Sequence, residues 1–198
     1  MQKLQEYIIP LKKEIPALTT SSLLLSGPME DLPEQLADDY ETILIVAGAG
    51  LYRKYSKAAA ASPVPFLFVS KDAPVSSFKK VIMPIDLRAE NSDSALWCSW
   101  FGRFNKSEVI AVAAGDKGKE EKRQLAKNIF LTKKLFRKFH IPHKIYKGRR
   151  SSLGNAFEAL ELAQSSGSDL FILLGSSTIT LLDLVFGLAE RKIIRQAR

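Results

Sequence analysis

Short apolar runs bounded by turn residues alternate along this chain with helical patterns, and that alternation constrains the fold more than any other feature. Runs such as Ile43-Leu44-Ile45-Val46 and Leu170-Phe171-Ile172-Leu173-Leu174 are apolar at consecutive positions. A strand with one wet face would alternate, so these runs belong to strands covered by helices on both sides. The pattern predicts seven strands, at roughly 22–26, 43–48, 66–70, 80–85, 108–113, 143–147 and 169–175. An α/β fold with mainly parallel sheets follows, and hairpins do not.

The segments between the strands carry matching helix signals. Asn91, Ser92 and Asp93 offer capping side chains ahead of Ala95-Leu96-Trp97. Leu125, Ile129, Thr132, Phe136 and Phe139 recur at steps of four and three and trace one face to pack on the sheet. Lys127, Lys134, Arg137 and Lys138 are left to solvent. Two parts of the chain also look alike. Leu24-Leu25-Ser26-Gly27, a helix with Leu32, Leu36 and Ala37, then Ile43 to Gly48 is one order; Ile145-Tyr146-Lys147-Gly148, a helix with Ala156, Leu160 and Leu162, then Phe171 to Gly175 repeats it. The repetition implies a tandem duplication joined near the polar stretch Lys71 to Ser77, with units at 1–74 and 75–198.

Composition narrows the function classes. The 198 residues carry a formal net charge of +8, and thirteen Lys/Arg against three Asp/Glu lie between Gly115 and Arg150. Lys144, Lys147, Arg149 and Arg150 with the helix lysines would attract phosphate-bearing ligands, acidic proteins or anionic lipid heads. Specific nucleic-acid binding is disfavoured, because Tyr146 is the one clear stacking aromatic there and no recognised binding module is present. Cys98 is the only cysteine, so no intrachain disulfide forms, and with His140 and His143 it makes a poor zinc set. Cys98 lies between Trp97 and Trp100 on a helix that also carries Leu96, Phe101 and Phe104, so a buried thiol of raised pKa is expected. No apolar run approaches the roughly 20 residues of a membrane span, and the first ten residues do not read as a secretory signal. A cytoplasmic setting is expected. Neither a Gly-x-x-x-x-Gly-Lys-Ser/Thr loop nor a Gly-x-Ser-x-Gly elbow occurs, so no catalytic centre is expected and the protein reads as a non-enzyme.

Val81-Ile82-Met83-Pro84-Ile85-Asp86, followed by Ser92, Ser94, Ala95 and Leu96, resembles the opening of the universal stress protein family, whose first strand ends in Pro-x-Asp ahead of a helix beginning Ala-Leu. Gly148, the run from Ser168 to Ser176, and Leu184-Val185-Phe186-Gly187 with Glu190 and Ile193-Ile194 extend the likeness over residues 79–198. Gly27, the strand ending at Gly48 and Ser62-Pro63-Val64-Pro65-Phe66 resemble the later half of such a domain. The resemblance implies two stress-protein-like units in tandem, the first incomplete and the second without its closing strand, either clipped or completed by a partner. It further implies a regulatory or binding protein of the stress response, and a homodimer or a pseudo-dimer of the two units. Two other readings stay open: an adenine-nucleotide sensor, and the soluble regulatory domain of a membrane transporter.

In the nucleotide-binding branch of that family the Asp lies near adenine and ribose. There the fourth strand runs into Gly-x-x-Gly, nine residues, then Gly-Ser or Gly-Thr. By this likeness the candidate ligand-binding residues are Pro84, Asp86, Gly175, Ser176, Ser177, Thr178 and Gly187. The match breaks where Thr178 replaces the second glycine, where eight residues separate Thr178 from Gly187, and where Leu188 follows. Leu51 stands at the corresponding place after Gly48-Ala49-Gly50. Side chains there crowd the approach of phosphate and disfavour positive φ. The expectation is no cofactor, with ATP disfavoured in the familiar mode, while the hydroxyls of Ser176, Ser177 and Thr178 could still serve a smaller anion.

Overall fold

Six of the seven expected strands form, and all pair in parallel. The computed structural model describes residues 2–71, 77–175 and 189–196. In chain order the strands are Ile45–Gly48 (β1), Phe66–Val69 (β2), Lys80–Ile85 (β3), Glu108–Ala113 (β4), His143–Lys147 (β5) and Leu170–Phe171 (β6). The helices are Gln2–Glu14 (α1), Leu32–Tyr40 (α2), Tyr52–Ala61 (α3), Asn91–Phe104 (α4), Lys119–Lys138 (α5), Ser152–Ser165 (α6) and Ala189–Gln196 (α7). β1 and β2 make a two-stranded sheet, and the other four strands make a second sheet in the order β5-β4-β3-β6.

The core sits on both faces of the larger sheet, as the apolar runs require. On one face Val81, Met83 and Ile85 of β3 pack with Ala95 and Cys98 of α4 and with Leu125 and Phe136 of α5. On the other, Ile82, Ile110 and Val112 lie under Ala159 and Ala163 of α6. Each such buried large side chain contributes about 1.5–3 kcal/mol. The face of α5 predicted from its spacing is the buried one, with Ile129 and Phe139 packed at its margin, and Lys127, Lys134, Arg137 and Lys138 are exposed. Cys98 is fully buried, which pushes its thiol pKa up. α7 rests on α6 and also touches α3 and the single turn Ala49–Leu51.

Three local expectations fail. Residues 22–26 form no strand: Leu24 is 95% exposed, and an apolar run with no sheet edge to join has nothing to pair with. The run at 169–175 is cut to Leu170–Phe171, for a reason that lies in β3 and is given below. Nor does the Asn91–Asp93 segment cap α4 through its side chains; Glu90 occupies the cap position without a side-chain bond, and Asn91 is employed elsewhere. Among the described residues no helix is long and apolar enough to cross a membrane.

Candidate functional site

The larger sheet reverses its build direction beside β3. The chain steps from β3 to β4 to β5 on one side, and β6 is added on the other, so a crevice opens between the carboxyl ends of β3 and β6. Pro84 sets where it opens. Carbonyls of Lys79 and Ile85 accept N–H groups from Glu108 and Ala114 on the β4 side, whereas those of Lys80 and Ile82 accept from Asp169 and Ile172 on the β6 side. Alternate residues address alternate neighbours, which puts Pro84 toward β6 with no N–H to donate. β3 accordingly holds six paired positions with β4 but two with β6, and beyond Ile82 the last two strands are free to part.

Asp86 stands at the mouth of this crevice and is buried. Its carboxylate is fully engaged by the protein itself. Oδ1 accepts the backbone N–H of Arg88 at 2.9 Å and Nδ2 of Asn91 at 2.9 Å. Oδ2 accepts Nε of Arg88 at 2.9 Å and Nη2 at 2.6 Å. Two donors on each oxygen use up a carboxylate's four accepting positions. Burial alone would raise the Asp86 pKa, but the hydrogen bonds and charge of Arg88, helped by Asn91, outweigh it and hold the carboxyl below its ordinary value. The guanidinium then reaches across the mouth, where Nη1 meets the carbonyl of Leu174 at 3.4 Å. Arg88 therefore ties the end of β3 to the chain leaving β6.

The loop that carries this arginine is braced from behind. Nδ2 of Asn128, on α5, donates to the carbonyls of Asp86 and Arg88 at 2.9 Å each, and Gln124 holds the Asn128 oxygen at 3.2 Å. Asn91 exchanges a further pair of bonds with the Asp86 backbone, both at 3.2 Å.

The far side of the rim is satisfied from within in the same way. Glu158, on α6, accepts the backbone N–H groups of Arg149 and Arg150, each at 2.9 Å, which draws its pKa down against the opposing effect of burial. Oδ2 of Asp116 takes the amide of Ser152 at 3.0 Å and its hydroxyl at 2.6 Å, so the N-terminus of α6 already faces a carboxylate. Gly148 is explained by crowding: a Cβ there would lie 2.8 Å from Oε2 of Glu158 and 2.9 Å from the carbonyl of Ala113. Asn155, fully buried, spans the sheet end by donating to the carbonyls of Ile85 and Val112 at 3.0 and 2.9 Å.

The structure thus brings Pro84, Asp86 and Gly175 to the carboxyl ends of neighbouring strands; Ser176, Ser177, Thr178 and Gly187 lie outside the described residues. Arg88, Asp116, Gln124, Asn128, Asn155 and Glu158 went unread in the sequence. Asn128 left a signal, a polar residue between Leu125 and Thr132 on the buried stripe of α5. His143 points its Nδ1 at the Ile141 carbonyl, 2.8 Å away, and among the described residues no cluster of three metal-ligating side chains occurs.

Comparison with solved structures bears on this arrangement. A universal stress protein from Archaeoglobus fulgidus DSM 4304 superposes with a TM-score of 0.61 at 14% identity, over 98% of this chain and 72% of that one. The fold is that of a universal stress protein. A second neighbour with this fold name, a universal stress protein family member from Burkholderia pseudomallei, covers 63% of this chain and 94% of its own at 10% identity, but its TM-score of 0.44 carries no weight. No family model and no curated protein matches the sequence. Among the described residues, the polar groups a nucleotide would seek at this end of the sheet are already engaged by the protein. A nucleotide seeking the Asp86 carboxylate would have to displace both Arg88 and Asn91, and one seeking the amides of Arg149, Arg150 or Ser152 would meet Glu158 and Asp116.

Proposed function

We propose that this chain is a universal stress protein that acts as a cytoplasmic regulatory or binding protein of the stress response, without a catalytic centre and without ATP held in the familiar mode. Two stress-protein-like units in tandem make up this reading, the smaller sheet being the later half of the first. The observation that carries it is the Arg88 bridge from Asp86 to Leu174, which engages the Asp86 carboxylate at the mouth of the switch-point crevice with the protein's own groups. A site of this kind works as a fixed structural element, so regulation runs through the protein's surfaces.

Calorimetric titration with magnesium ATP tests the nucleotide part. No binding heat is expected up to millimolar nucleotide, and a saturable isotherm at micromolar ATP overturns the reading. The regulatory part is tested by a strain lacking the protein, which is expected to survive starvation or oxidants less well and to recover when the chain is supplied in trans.

A further inference from the structure

Two helices of this molecule present faces of opposite predominant charge to solvent. On α5, Arg123, Lys127, Phe130, Lys134 and Arg137 recur at steps of four and three, all exposed, with Lys133 beside them and one acidic residue, Glu120, at the first turn of that face. Phe130, at the middle of this face, is 64% exposed. On α2 and its two ends, Asp31, Glu34, Asp38 and Glu41 recur at steps of three and four, with Glu30 alongside, and residues 30–41 contain no Lys or Arg. The three salt bridges among the described residues, Arg88–Asp86, Lys144–Glu108 and Arg150–Glu161, use none of these groups.

The fold keeps the two faces apart. α5 lies with α4 on one side of the larger sheet. α2 packs on α3, which reaches the rest of the molecule through α7 and α6 on the other side. The sheet therefore stands between the acidic and the basic helix, and one molecule cannot bring its own pair together. We propose that the basic face of α5 docks the acidic face of α2 from a second copy of this chain. Because the two surfaces differ, the contact is head to tail, and each added copy leaves one acidic and one basic face open for the next. The matching spacing on the two helices lets several opposite charges meet at once, and Phe130 supplies an apolar centre. One short helix laid on another buries less than the roughly 1,200 Å² of a stable interface, so the association is weak and sensitive to salt.

Sedimentation velocity on the full chain tests this. The weight-average mass is expected to rise with protein concentration at about 0.05 M salt, and the apparent dissociation constant to weaken roughly tenfold by about 0.5 M as screening shortens. Glu34→Lys with Asp38→Lys on one chain, and Lys127→Glu with Lys134→Glu on another, should each abolish the growth, while circular dichroism reports that both remain folded. Mixed together, the two variants present opposite charges again and should associate. A wild-type mass independent of concentration up to about 0.5 mM, growth that survives either reversal, or a mixture that stays dissociated overturns the proposal. So does a basic face that retains RNA or anionic vesicles while the protein shows no salt-sensitive growth.

Discussion

Replacing Arg88 with alanine probes the closed crevice without touching the core. The substitution removes both donors from Oδ2 of Asp86 and leaves Oδ1 with Asn91 and one backbone N–H. Taking away one partner of a buried ion pair costs about 3–5 kcal/mol, but the Arg88 side chain is 39% exposed, so water can reach the vacated position. A loss of about 2 kcal/mol at pH 7 is the consequence, which for a chain of this size lowers Tm by roughly 4–8 °C. The pH dependence gives the sharper signature. In the native protein the Asp86 pKa is depressed, so its stabilising contribution is complete above the unfolded carboxylate value of about 3.9 and is lost as pH falls through the lower folded value. Without the Arg88 guanidinium the folded pKa moves up under the weight of burial, so the variant recovers stability relative to the native chain on acidification. Urea unfolding followed by tryptophan fluorescence at pH 7 and at pH about 3 should therefore show the gap narrowing at the lower pH. A variant within about 0.5 kcal/mol of the native chain at pH 7, or a gap equal at both pH values, would refute the assignment of Arg88 as the group that holds Asp86.

Two further substitution and labelling results follow from the same geometry. Gly148→Ala forces a methyl group against Glu158 and the Ala113 carbonyl, both under 3.0 Å from the new Cβ, and should cost about 1–3 kcal/mol in urea unfolding; an unchanged midpoint would mean the strand-end loop has room that the structure does not give it. Cys98, fully buried with its pKa pushed up, should resist a thiol reagent at pH 8 in the native protein and react fully in denaturant; rapid native labelling would place α4 elsewhere.

Strands β3, β4 and β5 were legible to the residue: burial on both faces of β3 and β4 leaves little choice but a continuous β-rich run, and the edge strand β5 runs between Pro142 and Gly148. The two strand failures have one physical source, the absence of a partner. Residues 22–26 carry enough leucine for a strand but meet no sheet edge, and the apolar run after Asp169 outlasts its ladder because Pro84, on the neighbouring strand, has no N–H for it. Both depend on what lies beside the segment, which no window along the chain contains.

The position of the candidate site was readable for the complementary reason. Strand order in a parallel sheet fixes where the crevice must fall, so the family likeness, which implies that order, was enough to put Asp86 and Gly175 at its mouth. What occupies the crevice was not readable, since it turns on one arginine rotamer and on an asparagine 42 positions away donating to the Asp86 carbonyl. The glycines give the same lesson in reverse. Gly148 entered the family likeness as a strand-end glycine, and the oxygens that exclude a Cβ there belong to Glu158 and Ala113. A glycine at a strand end records only that something comes close, and in this molecule, at Gly148, the close neighbour is the protein's own carboxylate. The Arg88 bridge, the Glu158 cradle and the Asp116 cap each place an internal charge where a nucleotide would need a free partner. A substitution that frees one of them alone leaves the other two in place, so Arg88→Ala should weaken the fold without conferring ATP binding.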